Sequence, residues 1–159
     1  MAVLLSQVAN GGTRYQPYVV SRVDNPDGTP AEIFGPKNLG VLPVPKNIMD
    51  LIREGLRDVT SEGGTAGELF KGFPVAVAGK TGTAENAHGR DHGWFVAYAP
   101  YDKPQIVVVA LVEQGGFGAG SAGPIVRDIL SAYFKVPTSG SKTTDTKTTD
   151  TKITTNKKE

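Results

Sequence analysis

The sequence predicts an α+β fold, a three-layer α/β/α sandwich in which antiparallel strands are covered by helices. Three observations carry this expectation. Strand-sized segments follow one another closely at Val75–Glu85, Gly93–Ala99 and Gln105–Glu113. The last two are joined only by Pro100-Tyr-Asp-Lys-Pro104, a connection short enough to require an antiparallel pair. Ile106–Val112 is apolar on both faces, which marks a central strand with helices on each side.

The remaining elements follow from local chemistry. Met1–Val8 reads as a helix that stops at Asn10-Gly11-Gly12, where residues tolerant of positive φ close a helix end. No Ser, Thr, Asp or Asn precedes it, so the chain is expected to open in the middle of an element. Tyr18–Val23 is expected as a strand, Asn25-Pro26-Asp27-Gly28 as a turn and Glu32–Phe34 as a return strand, together a hairpin or outlying ribbon. A second helix follows Pro45, with Ile48, Ile52, Leu56 and Val59 at helical spacing and Arg53, Arg57 and Asp58 between them. Gly63-Gly64 ends that segment, and Thr65–Phe70 adds one more turn capped by Thr65. The last helix spans Pro124–Phe134, its apolar stripe formed by Ile125, Val126, Ile129, Leu130 and Tyr133 before Val136-Pro137 stops it.

From Pro137 the composition changes abruptly. Lys142-Thr-Thr-Asp-Thr is followed directly by a second copy at Lys147, with no aromatic residue to the end, so residues 137–159 are expected to be a disordered Thr/Lys/Asp-rich tail on a folded part spanning 1–136.

Composition removes several functions. Lys and Arg number 17 against 16 Asp and Glu, so there is no basic field for nucleic acid. The chain has no cysteine, which excludes disulfides, thiolate metal sites and a thiol nucleophile. The apolar run Ile106–Val112 is far short of the roughly 20 residues a helix needs to span a bilayer, so no membrane span is expected in this chain. Its amino terminus has no basic residue ahead of the apolar stretch and does not read as a signal peptide.

Four patterns bear on chemistry. Gly79-Lys80-Thr81 resembles the end of a P-loop, but the glycine that motif needs five positions before its second glycine is Pro74 here. Gly118-Ala-Gly120-Ser-Ala-Gly123 matches a dinucleotide fingerprint, yet no further strand with an acidic residue follows the helix, so it reads as a glycine-rich turn leading into that helix, with nucleotide binding through Gly118–Gly123 as an alternative. His88 and His92 are four apart, but Gly89 and Gly93 oppose a helix and no third ligand is evident, so both are expected in a polar connection and no metal or cofactor is expected. The fourth is Ala78-Gly-Lys80-Thr81-Gly82-Thr83-Ala-Glu85 on a strand, followed by Gly93-Trp-Phe-Val-Ala-Tyr-Ala-Pro100 on another. A strand edge bearing a lysine and hydroxyls beside a glycine presents a cation, donors and bare backbone to a ligand lying alongside it, which suits a peptide carboxylate. Strand alternation puts Thr81 and Thr83 on one face and Lys80 on the other, so the lysine is expected to reach a cleft by its length or by local twist.

Here the chain resembles the transpeptidase domain of penicillin-binding proteins, especially the monofunctional class B enzymes that cross-link peptidoglycan, whose signature joins K-T-G to S-x-x-K and S-x-N. The likeness runs in order through Val8-Ala-Asn-Gly-Gly12, Gly63-Gly-Thr-Ala66, Ala78–Glu85, Gly93–Pro100 and the last helix, covering essentially residues 1–136. It implies the C-terminal portion of a transpeptidase domain, with part of a β-lactamase/transpeptidase-like fold. It further implies that Lys80 sets the electrostatics near the nucleophile, that Thr81 and Thr83 hydrogen-bond a carboxylate, that Gly82 keeps the edge clear, and that the Thr83 N–H is an oxyanion-hole donor. Implied partners are peptidoglycan stem peptides, β-lactams and the upstream half of the domain. The implied location is the extracytoplasmic face of the bacterial cytoplasmic membrane, with any anchor upstream.

The chain departs from the family in one respect. Its sole S-x-x-K is Ser139-Gly-Ser-Lys142 in the tail, and S-x-N does not occur. The attacking serine is therefore expected to come from polypeptide not present here, which leaves this chain inactive alone; a non-catalytic module that binds peptidoglycan peptides is the alternative.

Overall fold

The structure is a computed structural model that describes residues 1–137. The expected tail, with Ser139-Gly-Ser-Lys142, lies outside the described residues but for Pro137. In order the elements are α1 (Ala2–Ala9), β1 (Thr13–Tyr15), β2 (Arg22–Asp24), β3 (Pro30–Ile33), β4 (Asn38–Val41), α2 (Lys46–Asp58), α3 (Gly67–Phe70), β5 (Ala78–Ala84), β6 (His92–Ala99), β7 (Ile106–Val112) and α4 (Gly118–Phe134).

The three-layer prediction holds. β5, β6 and β7 form one antiparallel sheet in that order. Alternation along β6 divides the core: Phe95, Ala97 and Ala99 meet Val126 and Leu130 of α4 and Phe70 of α3, while Val96 and Tyr98 meet Leu5 and Ala9 of α1 with Leu56 of α2. β7 is covered on both faces in the same way, through Val108 and Ala110 on one side and Val107 and Val109 on the other. It is not the central strand, however. Among the described residues β6 is central and β7 stands at an edge, because two-sided apolarity reports the helices above and below and says nothing about lateral neighbours.

Several local expectations shift. β2 begins at Arg22, leaving Tyr18–Ser21 outside the strand, because β3 offers it only the partners Ile33, Glu32 and Pro30. The pairing of β1 with β4, through Thr13 with Val41 and Tyr15 with Asn38, was not anticipated: these strands of three and four residues are too short to show alternation. No Thr65 side chain caps α3, whose N-cap is Ala66.

Of the stripe expected on helix α2, Leu56 and Val59 pack against the core and the two isoleucines do not. Ile48 and Ile52 are exposed and Met49 is buried. The face toward the sheet also carries two arginines. The Arg53 guanidinium donates to the Tyr101 carbonyl at 2.7 Å and lies over the Tyr98 and Tyr101 rings, 6.0 and 5.6 Å from their centroids. Arg57 donates to the Val77 carbonyl at 3.2 Å and to Thr60 Oγ1 at 3.1 Å, and the buried Thr60 hydroxyl itself donates to the Val77 carbonyl. The arginine stems therefore act as packing surface while their heads satisfy carbonyls at the sheet margin. Burial raises the Tyr98 phenol above its ordinary value, and the neighbouring Arg53 opposes that rise. Arg53→Met keeps the stem and removes the donors; it is expected to cost about 1–3 kcal/mol, read as a lower urea midpoint at unchanged slope.

Helix α4 starts six residues before the expected Pro124, so Gly118–Gly123 are its first turns and not a loop. Packing explains this. A Cβ on Gly118 would fall on the carbonyl oxygens of Gly82 and Trp94, and one on Gly123 would stand 2.6 Å from Leu69 Cδ2. The glycines let the helix settle onto the sheet, which offsets their poor helix propensity of about 1 kcal/mol each. The stripe predicted for this helix is also split, with Val126 and Leu130 buried and Ile125, Ile129 and Tyr133 exposed.

Candidate functional site

Lys80, Thr81, Gly82 and Thr83 lie in the middle of β5, paired in order with Val96, Phe95, Trp94 and Gly93 of β6. β5 is the terminal strand of its sheet, so among the described residues its outer edge has no strand beside it. Alternate main-chain N–H and C=O groups along that edge point away from β6.

A groove of about 310 Å³ runs along this strand, bordered by residues 80–84, Trp94, Val96 and, at the start of α1, Met1. Residues directly opposite in an antiparallel pair share a face, so Lys80 stands beside Val96 and Gly82 beside Trp94. The groove therefore has an apolar floor from β6 and lies on the lysine's side of the sheet. The expectation that Lys80 must reach across by length or twist is corrected: it is the threonines whose side chains belong to the opposite face, and they border the groove from the strand edge.

Lys80 is exposed and its Nζ donates to the Thr81 carbonyl at 2.8 Å. Among the described residues the ion pairs join Arg22 to Asp24, Lys46 to Asp50 and Lys71 to Glu68; none involves Lys80. A groove with a cation at its rim that has no acidic partner among the described residues favours an anionic ligand. Gly82 leaves room for the neighbouring strand, since a Cβ there would stand a tight 3.2 Å from Trp94 Cβ and press on the floor. From the other face Gly118 of α4 rests against the Gly82 and Trp94 carbonyls, so the helix buttresses this segment of the wall. Sequence reasoning missed Trp94, Val96 and Met1 as lining; the period-2 register from Gly82 to Trp94 was the available clue.

The other candidates lie apart from the groove. His88 is in the exposed turn between β5 and β6, whereas His92 is the first residue of β6 and not part of the connection. Among the described residues no three His, Asp or Glu side chains are placed to hold a metal ion. Gly118 and Gly123 are buried in α4 against β5, β6 and α3, a role of helix–sheet contact in place of a phosphate cradle. No helix among the described residues is long and apolar enough to cross a membrane.

Comparison with known proteins places this architecture. Residues 1–131 match the family model of the penicillin binding protein transpeptidase domain. The peptidoglycan D,D-transpeptidase PbpA of Mycolicibacterium smegmatis is 32% identical over 145 residues, covering 82% of this chain and 28% of the relative, and MrdA of Haemophilus influenzae is 37% identical over 90 residues, covering 47% and 14%. Penicillin-binding protein A from M. tuberculosis, in its imipenem acyl-enzyme complex, superposes with a TM-score of 0.72 at 30% identity over 83% of this chain and 29% of that one. The chain thus spans under a third of the length of these relatives. Since that family model matches well over half of the chain, the chain belongs to the penicillin-binding-protein transpeptidase domain family.

Proposed function

We propose that this chain supplies the K-T-G wall of a serine acyl-transfer site that cross-links peptidoglycan and is acylated by β-lactams, the attacking serine coming from polypeptide beyond these 159 residues. One observation carries it: among the described residues the outer edge of β5 has no strand beside it and borders a groove whose rim holds Lys80 without an acidic partner. A stem peptide or β-lactam lying along that edge meets main-chain groups as an added strand would. Its carboxylate is held by the Thr81 and Thr83 hydroxyls, and Lys80 supplies positive potential where the serine is deprotonated. The Thr83 N–H stabilises the oxyanion of the tetrahedral intermediate. The bond from Lys80 Nζ to the Thr81 carbonyl supports this assignment, since it marks Thr81, and by the two-residue period Thr83, as residues whose main-chain groups are turned from β6. The substrate places the site at the extracytoplasmic face of the bacterial membrane, and the serine-bearing part of the domain is the chain's principal partner.

Fluorescent penicillin tests this. The chain alone is expected to take no covalent label, because no S-x-N is present and its one S-x-x-K, Ser139–Lys142, follows α4 in the Thr/Lys/Asp-rich segment. Residues 1–131 grafted into the M. smegmatis PbpA in place of the matching segment are expected to restore labelling. A labelled band from the isolated chain, or a folded graft that stays dark, would refute the proposal.

A further inference from the structure

The start of β6, beside the end of the K-T-G strand, is bonded through a histidine to the turn that precedes α4. His92 is the register partner of Ala84, the residue after Thr83. Its Nδ1 accepts the main-chain N–H of Gln114 at 3.0 Å, in the turn between β7 and α4. One residue earlier, the Asp91 carbonyl accepts the Gly116 N–H at 2.8 Å from the same turn. Gln114 has φ of 54°, a left-handed conformation uncommon for a residue with a side chain, and it persists only where neighbours hold it. Gly89 fits against it, since a Cβ there would stand 3.1 Å from Gln114 Oε1. The connection after the K-T-G strand is thus seated on the turn that launches α4, the helix that buttresses Gly82 from behind.

An imidazole nitrogen accepts a hydrogen bond only through a free lone pair, so the proton of neutral His92 sits on Nε2. Protonation would place an N–H of the ring against the N–H of Gln114 and exchange an attraction for a repulsion. We propose that His92 is a pH-sensitive latch and a positioning residue for the strand that backs the K-T-G wall: neutral, it holds the β7–α4 turn against the start of β6, and charged, it releases that turn. Histidine is the side chain suited to this between pH 5 and 8. The charged and titratable groups around it are His88, Arg90 and Asp91 of the connection before it, Glu85 after β5, and Glu113, which continues the β6–β7 register opposite His92. The latch belongs to this chain by itself and does not depend on the acyl-transfer proposal.

Amide hydrogen exchange of the full chain, followed by NMR and corrected for intrinsic rates, tests it without a ligand. Protection of the Gln114 amide is expected to fall about fivefold between pH 8 and pH 5, the scale of one exposed hydrogen bond, while amides within β6 hold theirs. His92→Asn places Oδ1 where Nδ1 was, so Gln114 should stay protected with no pH dependence; His92→Phe should leave it unprotected throughout. Equal Gln114 protection at both pH values in the natural chain overturns the latch. So does a pH dependence that survives in His92→Asn, which retains His88. If His92→Phe does not fold, the natural chain and the Asn variant decide the question.

Discussion

Phe95→Ala is expected to destabilise the chain by about 3–5 kcal/mol, a large share of the 5–15 kcal/mol that holds a typical domain folded. Phe95 is fully buried at the centre of β6, the middle strand of the sheet. Its ring lies 6.0 Å from that of Phe70 in α3, and Cβ atoms built at Gly79 and Gly123 would stand 3.2 and 3.6 Å from its edge carbons. Helix α3, helix α4 and strand β5 therefore close on one side chain. Truncation opens a cavity between elements held apart by backbone contact, since Gly118 already rests on the Gly82 and Trp94 carbonyls and α4 has no room to move closer there. Urea unfolding followed by circular dichroism measures the loss. Leu111→Ala, at an exposed position near the end of β7, is the control, expected within about 0.5 kcal/mol of the natural chain. A Phe95→Ala cost below about 1 kcal/mol would mean that the layer of α3 and α4 does not rest on this ring.

What the residues disclose in advance depends on whether their polarity matches their surroundings. Phe95-Val-Ala-Tyr-Ala99 is apolar and buried, Ile106–Val112 is apolar throughout with Val108 and Ala110 buried, and Pro100–Pro104 is too short for a crossover, so the pair β6–β7 is legible directly. Arg53 and Arg57 are charged yet face the sheet, because their heads reach carbonyls at its margin; a polarity pattern assigns such residues to solvent and so turns α2 by part of a revolution. Gly118–Gly123 carries the composition of a turn because contact with the Gly82 and Trp94 carbonyls, which no local rule contains, excludes a side chain. At the site, Lys80 to Thr83 are identifiable by type and order. The side of the sheet on which the groove opens is set by Trp94 and Val96 on the neighbouring strand, and hence by register.

The register yields the second large effect. In the graft of residues 1–131 into PbpA, Thr83→Pro is expected to slow penicillin acylation about 10²–10³-fold, the usual consequence of losing one oxyanion-hole donor. Proline removes the main-chain N–H, and on an edge strand this is tolerated only where that N–H faces outward. The Lys80 bond to the Thr81 carbonyl puts the outward groups at Thr81 and Thr83, so Thr83→Pro should leave the fold intact. Gly82→Pro removes instead a group directed at Trp94 and should unfold the graft, which makes the pair a test of which alternate residues face the groove. Thr83→Ala keeps the N–H and deletes only the hydroxyl; it should weaken carboxylate recognition about tenfold, as the loss of one charge-assisted hydrogen bond does. Stopped-flow acylation rates separate the two contributions. If Thr83→Pro and Thr83→Ala slow the reaction equally, the hydroxyl accounts for the whole effect and the Thr83 N–H is not an oxyanion donor.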